Sequence, residues 1–127
     1  TVVERDGSAL AGLKRNLGNP APFSVRLLEA DLSRGFLFSS ELKPGDFDVV
    51  LLDPPREGAF EVMEDLVRVQ PSYILYVSCD PATLSRDLKV LRESGYSPVR
   101  VIAVELFEAT PHVETLVLLR LLAEDEK

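Results

Sequence analysis

Tyr73-Ile74-Leu75-Tyr76-Val77-Ser78-Cys79-Asp80-Pro81 is the stretch on which the fold turns. The apolar run Tyr73–Val77 reads as a buried strand. Asp80 is a good helix N-cap and Pro81 suits the first helical position, so a helix follows at once. Leu84, Leu88 and Leu91 then fall in helical register, and the predicted helix runs from Pro81 to Glu93 before Gly95 ends it. Cys79, the only cysteine, stands where strand gives way to helix. Backbone N–H groups at a helix start favour an anion. A lone Cys without such a setting is more often a small buried hydrophobe.

The same alternation extends outward from this stretch. Thr1–Glu4 reads as a short strand ending in an acid. Asp6 or Ser8 can cap a helix to about Leu17, with Leu10, Leu13 and Leu17 on one face and Gly18 as the stop. Ser24–Glu29 is a predicted strand, followed by Ala30-Asp31-Leu32, and residues 33–46 form a loop with a turn at Pro44-Gly45. Phe47–Leu52 is apolar except for Asp48 and reads as a strand buried on both faces. It runs into Asp53-Pro54-Pro55-Arg56-Glu57-Gly58, and a helix over Phe60–Val69 stops before Pro71. Val99–Leu106 and Val113–Leu122 are two longer strands joined by Phe107–His112, and the acidic tail from Glu124 is expected to fray. Strands alternating with helices predict an α/β fold. Its sheet is mostly parallel, with both faces covered and one antiparallel strand at the end. Ligands bind such sheets outside the carboxyl ends of the strands. Glu4, Asp31, Asp53 and Cys79 all fall at predicted carboxyl ends, which makes them a site by position alone.

The totals bound what that site can do. The chain has 127 residues, enough for one domain with a core, and no apolar segment reaches the ~18 residues of a membrane span. A single cysteine excludes an internal disulfide and points to a reducing compartment, with the cytoplasm the expected location. Cys79 and His112 are too few ligands for a zinc site, so no metal is expected. A net charge of −7 argues against a self-sufficient nucleic-acid binder, because phosphate contacts need Lys and Arg.

Three stretches carry a resemblance: Asp53-Pro54-Pro55-Arg56, Tyr76-Val77-Ser78-Cys79-Asp80-Pro81-Ala82-Thr83-Leu84 and His112-Val113-Glu114-Thr115. Together they resemble the RNA uracil-5-methyltransferases, over nearly the whole chain, and the Cys stretch is the most specific of the three. The resemblance implies a Rossmann-like class I methyltransferase fold. It also implies S-adenosyl-L-methionine as cofactor and RNA as substrate, with ribosomal RNA favoured over transfer RNA. It makes Cys79 the nucleophile that adds to C6 of uracil and Glu114 the base that removes the C5 proton. Covalent addition of this kind splits one hard step into two easier ones. By the same resemblance Glu4 binds the ribose hydroxyls of the cofactor and Asp31 lies near its adenine. Asp53 forms the floor between cofactor and base. Arg56, Phe107 and His112 belong to the substrate side. On residues alone, Glu4 and Asp31 read equally well as caps or solvated acids.

The departures from the family lie before Thr1. The first strand, the glycine-rich cofactor loop that follows it, a glutamine-containing motif and the RNA-holding β-barrel of many members are all absent from the sequence. Residues 1–127 are therefore expected to be the C-terminal part of one methyltransferase catalytic domain, inactive by itself. The missing strand belongs between Thr1–Glu4 and Phe47–Leu52. Thr1–Glu4 is thus expected to lie poorly placed or to pair outside the family pattern, with pairing across a dimer as one route. From Phe47 to Leu122 the family order of strands, 4-5-7-6, is expected. Other readings are a methyltransferase acting on an amino nitrogen, a cysteine hydrolase using Cys79 and His112, and a non-catalytic RNA-associated scaffold. The first prefers an aromatic residue where Arg56 stands, the second lacks an orienting Asn or Asp, and the third sits badly with intact Cys79 and Glu114.

Overall fold

A computed structural model of the chain describes residues 1–18, 24–34, 43–105 and 113–126. Its elements are β1 (Val2–Glu4), α1 (Gly7–Leu17), β2 (Leu27–Glu29), β3 (Val49–Leu52), α2 (Met63–Val69), β4 (Tyr73–Ser78), α3 (Pro81–Glu93), β5 (Tyr96–Glu105) and β6 (Val113–Leu121). Short 3-10 turns cover Leu32–Arg34, Phe60–Val62 and Glu124–Glu126.

Alternation along β4 sets the core. Ile74, Tyr76 and Ser78 are buried on one face, where helices α2 and α3 bring Met63, Leu66, Leu84 and Leu91 against them. β6 lies beside β4 and adds Val117 and Leu119 to the same layer, paired with Tyr76 and Ile74. The four-stranded sheet has the order β3-β4-β6-β5, with β3 parallel to β4 and β6 antiparallel to both its neighbours. This is the expected order 4-5-7-6 in the labels of this chain. β5 starts at Tyr96, earlier than the expected Val99, and its register shifts between Pro98 and Arg100. Proline cannot donate to a ladder, and a bulge on an edge strand accommodates it.

Two helix ends follow directly from sequence. Asp80 Oδ1 accepts the Ala82 and Thr83 N–H groups at 2.9 and 3.0 Å, capping α3. α2 stops at Gln70, whose φ of 51° puts it in the left-handed region just before Pro71.

Two expectations are corrected. Phe47–Leu52 does not form a strand buried on both faces. In β3 only Val50 and Leu52 face the core, while Val49 is 57% and Leu51 64% exposed. Among the described residues α1 packs on β1 and β2, so α2 and α3 cover just one face of the larger sheet. Thr1–Glu4 is not poorly placed either. β1 pairs in parallel with β2, Val2 with Leu27 and Glu4 with Glu29, and that pairing needs no second chain. β1 and β3 do not pair with each other. A cleft of about 690 Å³ lies between them, lined by Val2, Glu4, Leu28, Val50, Leu52 and Asp53 among others.

Candidate active site

Asp53, Cys79 and Glu114 each fall at or next to the end of a strand. Asp53 follows β3 directly, Cys79 follows β4, and Glu114 is the second residue of β6, which runs the other way. The last pair in the β4–β6 ladder is Ser78 with Thr115. The ladder ends there: Cys79 follows it in the bend that leads into α3, and Glu114 precedes Thr115 on β6 and pairs with Val104 of β5. Side chains alternate along a strand. Leu51, Val77 and Leu116 mark the sheet face away from the helices, and Glu114, two residues before Leu116 on β6, holds a position on that face; Asp53 and Cys79 lie just beyond the ends of β3 and β4.

The turn around Cys79 is held from both sides. The Ser78 hydroxyl donates to the Asp80 carbonyl at 3.0 Å and accepts the Asp80 N–H at 3.1 Å, so it bridges across the cysteine. Cys79 is a free, half-buried thiol at the start of a 13-residue helix. The Asp80 carboxyl is held below the usual carboxylate range, first by the Thr83 N–H, then by Ala82, the Thr83 hydroxyl and the charge of Arg56.

The cofactor-side acids are placed less uniformly. Glu4 ends β1, its Oε1 accepts the Asp6 N–H at 2.8 Å, and it shares the cleft with Asp53. Asp31 accepts the Ser33 N–H at 2.9 Å, and its other oxygen stands 4.0 Å from Arg5. It therefore performs the capping role that the residues alone suggested, and it does not line that cleft. Arg56 is exposed, and its carbonyl accepts the Thr83 hydroxyl at 2.9 Å. Phe107 and His112 lie outside the described residues. Among the described residues no group of three or more His, Cys, Asp or Glu could hold a metal ion, and no helix is long and apolar enough to cross a membrane.

Sequence reasoning passed over Asp87, which is fully buried. Its Oδ2 accepts the Tyr76 hydroxyl and the Ala59 N–H, each at 2.7 Å, and its Oδ1 accepts Arg86 Nε at 2.8 Å. Burial and then the bond to Asp87 push the Tyr76 phenol well above its ordinary value. A signal was present, since Asp87 falls between Leu84 and Leu91 on the buried stripe of α3. A carboxylate on such a stripe requires partners.

The family model described as tRNA (Uracil-5-)-methyltransferase matches residues 33–122. A 23S rRNA (uracil(1939)-C(5))-methyltransferase RlmD of Aeromonas hydrophila is 40% identical over 116 residues, which are 91% of this chain and 26% of that protein. A protein of Thermotoga maritima named "Uncharacterized RNA methyltransferase" is 58% identical over 76 residues, 59% of this chain and 17% of its own. Among solved structures, the tRNA (uracil-54, C5)-methyltransferase of Pyrococcus abyssi in complex with S-adenosyl-L-homocysteine superposes with a TM-score of 0.72. It is 31% identical, and the match covers 92% of this chain and 27% of that one. The precorrin-6y C5,15-methyltransferase of Geobacter metallireducens, 18% identical with a TM-score of 0.68, covers 93% of this chain and 66% of its own and shares the fold. The chain spans about a quarter of the length of the uracil-methyltransferase relatives it matches.

Proposed function

Since the chain belongs to the tRNA (uracil-5-)-methyltransferase family, we propose that it carries the nucleophile and the base of an RNA uracil-C5 methyltransferase. The observation that supports this reading most is that Cys79 directly follows β4 while Glu114 directly precedes Thr115, the partner of Ser78 at that end of the β4–β6 ladder. A thiolate at Cys79 adds to C6 of the target uracil, and the electron pair displaced from the C5–C6 bond makes C5 nucleophilic. S-adenosyl-L-methionine supplies the electrophilic methyl group when bound. After methylation, Glu114 accepts the C5 proton, the C5–C6 double bond re-forms and Cys79 leaves as thiolate. Each role is ordinary covalent and general-base catalysis.

The residues present suit that cofactor. Glu4 is an acceptor for ribose hydroxyls at a strand end, its other contact already fixed by the Asp6 N–H. Asp53 lines the same cleft and offers a carboxylate toward positive charge, and Leu28 and Leu52 supply apolar walls. Asp31 fits the adenine side only from outside that cleft. Arg56, exposed and near enough to Asp80 for its charge to act there, is assigned to an RNA phosphate. Phe107 and His112 are assigned to the substrate loop on family resemblance alone. Ribosomal RNA is the favoured substrate, because relatives at about 40% identity are named for 23S rRNA. The reaction belongs to the cytoplasm, and the 127 residues alone are inactive.

The test is RNA containing 5-fluorouracil, offered to the intact enzyme with its cofactor. Fluorine at C5 cannot leave as a proton does, so a covalent protein–RNA adduct should persist on a denaturing gel. Cys79→Ala should form none and should not methylate ordinary RNA. Methylation retained by Cys79→Ala overturns the assignment of the nucleophile.

A further inference from the structure

The loop that carries Asp53 and Arg56 is gripped by its backbone, from a single face of α3. Thr83, Arg86 and Asp87 are spaced i, i+3 and i+4, which puts them side by side on that helix. Thr83 Oγ1 donates to the Arg56 carbonyl at 2.9 Å, Arg86 Nη2 donates to the Glu57 carbonyl at 2.8 Å, and Asp87 accepts the Ala59 N–H at 2.7 Å. Between them lies Gly58, with φ of +81° and its N–H donating to the Pro55 carbonyl at 2.9 Å. A Cβ on Gly58 would stand 2.6 Å from Asp87 Oδ2 and 2.7 Å from Arg86 Nη2. The grip is thus closed to any side chain at that position. Arg86 is held in turn by Asp87 and by the ring of Phe60, 5.0 Å from its guanidinium.

Asp87 joins two of the three grips, holding Ala59 directly and Glu57 through Arg86. It is fully buried and ties together β4 through Tyr76, the loop through Ala59 and the guanidinium of Arg86. The same helix begins with the turn that holds Cys79, and Thr83 touches both Asp80 and Arg56. We propose that Asp87 is a positioning residue: by clamping residues 56–59 onto α3 it fixes Asp53 and Arg56 relative to Cys79. The inference rests on the proposed reaction, in which those three side chains act on one base and its cofactor. It adds a residue that touches neither. Charge-assisted bonds and complete burial make the clamp stiff, and a misplacement of about 1 Å can cost on the order of 100-fold in rate.

The experiment compares Asp87→Asn, Gly58→Ala and, as a control, Leu91→Ala. Asn keeps the size of Asp but presents one acceptor oxygen where Asp presents two. Gly58→Ala pushes the loop away from the other side and serves if Asp87→Asn folds poorly. Leu91 is buried in the same helix and touches the core, so its variant loses stability without loosening the loop. Two quantities are read in the intact enzyme at a temperature where all variants are folded. Amide hydrogen exchange at residues 56–59 should quicken at least about tenfold in the two clamp variants and not in Leu91→Ala. The single-turnover methylation rate at saturating cofactor should fall about ten- to hundredfold in the clamp variants, with a smaller loss in a control of equal Tm. Unchanged exchange at residues 56–59 overturns the clamp. Faster exchange with a rate that merely follows Tm overturns its role in the reaction. A wild-type enzyme that methylates no uracil overturns the proposed function instead, and the exchange measurement still decides the clamp.

Discussion

Glu114 is the residue whose role is most open to a decisive measurement. Glu114→Gln in the intact enzyme should methylate C5 once and then stall, because the C5 proton has nowhere to go. A protein–RNA adduct should accumulate on a denaturing gel with ordinary uridine RNA, and turnover at the wild-type rate would assign the base to another group. Two buried tyrosines give a second prediction, in alkali. Tyr96 donates its hydroxyl to the Pro71 carbonyl at 2.8 Å, and burial pushes its phenol from 10.0 up to about 12. Tyr76 is raised in the same direction by burial and by Asp87. In this range the folded state holds protons that the unfolded chain has released. The stabilisation is therefore complete below about pH 10 and is lost as pH rises toward about 12. Denaturant midpoints at pH 8 and pH 11 should differ more for wild type than for Tyr96→Phe, and equal differences would remove Tyr96 from the account. Cys79 and Asp80 were legible because strand end, cap and proline are consecutive in sequence. Asp87 was passed over because its three partners come from Tyr76, Ala59 and Arg86, and two of those are distant along the chain.

At the scale of elements, legibility followed how local the cause is. The helix Pro81–Glu93 has its expected bounds, since its cap and its leucine stripe lie within it. β5 begins earlier than its apolar pattern does, because Tyr96 is anchored by Pro71 and pairs with Leu121, contacts that no short window records. β2 is only Leu27–Glu29, although the apolar pattern starts at Ser24. The end of α2 offers a prediction of its own. Gln70 takes a left-handed conformation, with its N–H on the Leu66 carbonyl at 2.9 Å. A side chain pays about 1–2 kcal/mol there and glycine loses about 0.5–1 kcal/mol in chain entropy, so Gln70→Gly should stabilise by about 0.5–1 kcal/mol. A lower Tm for Gln70→Gly would show that the Gln side chain makes a contact worth more than that strain.

Taken whole, the described residues form a four-stranded sheet with helices α2 and α3 on one side, a two-stranded sheet beside it, and a cleft where β1 and β3 do not pair. Strand–helix alternation and the apolar run Phe47–Leu52 indicated a sheet covered on both faces. They could not show that the described helices take one face only, because that depends on which strand each helix crosses. Val49, Leu51, Tyr73 and Ile102 stay exposed in consequence. The open cleft also predicts that the 127-residue chain binds S-adenosylhomocysteine with a Kd above about 1 mM by calorimetry, while micromolar binding would mean that Glu4, Asp53 and their neighbours already form a complete pocket. The place of β6 has a further consequence, for how the protein is made. β6 lies between β4 and β5, yet it is synthesised after both. A ribosome adding roughly 5–20 residues per second needs about 1–5 s to go from Tyr96 to Leu121. Throughout that interval the nascent β5 lacks β6, its one partner among the described strands. The four-stranded sheet is therefore completed by the strand that is made last of its four.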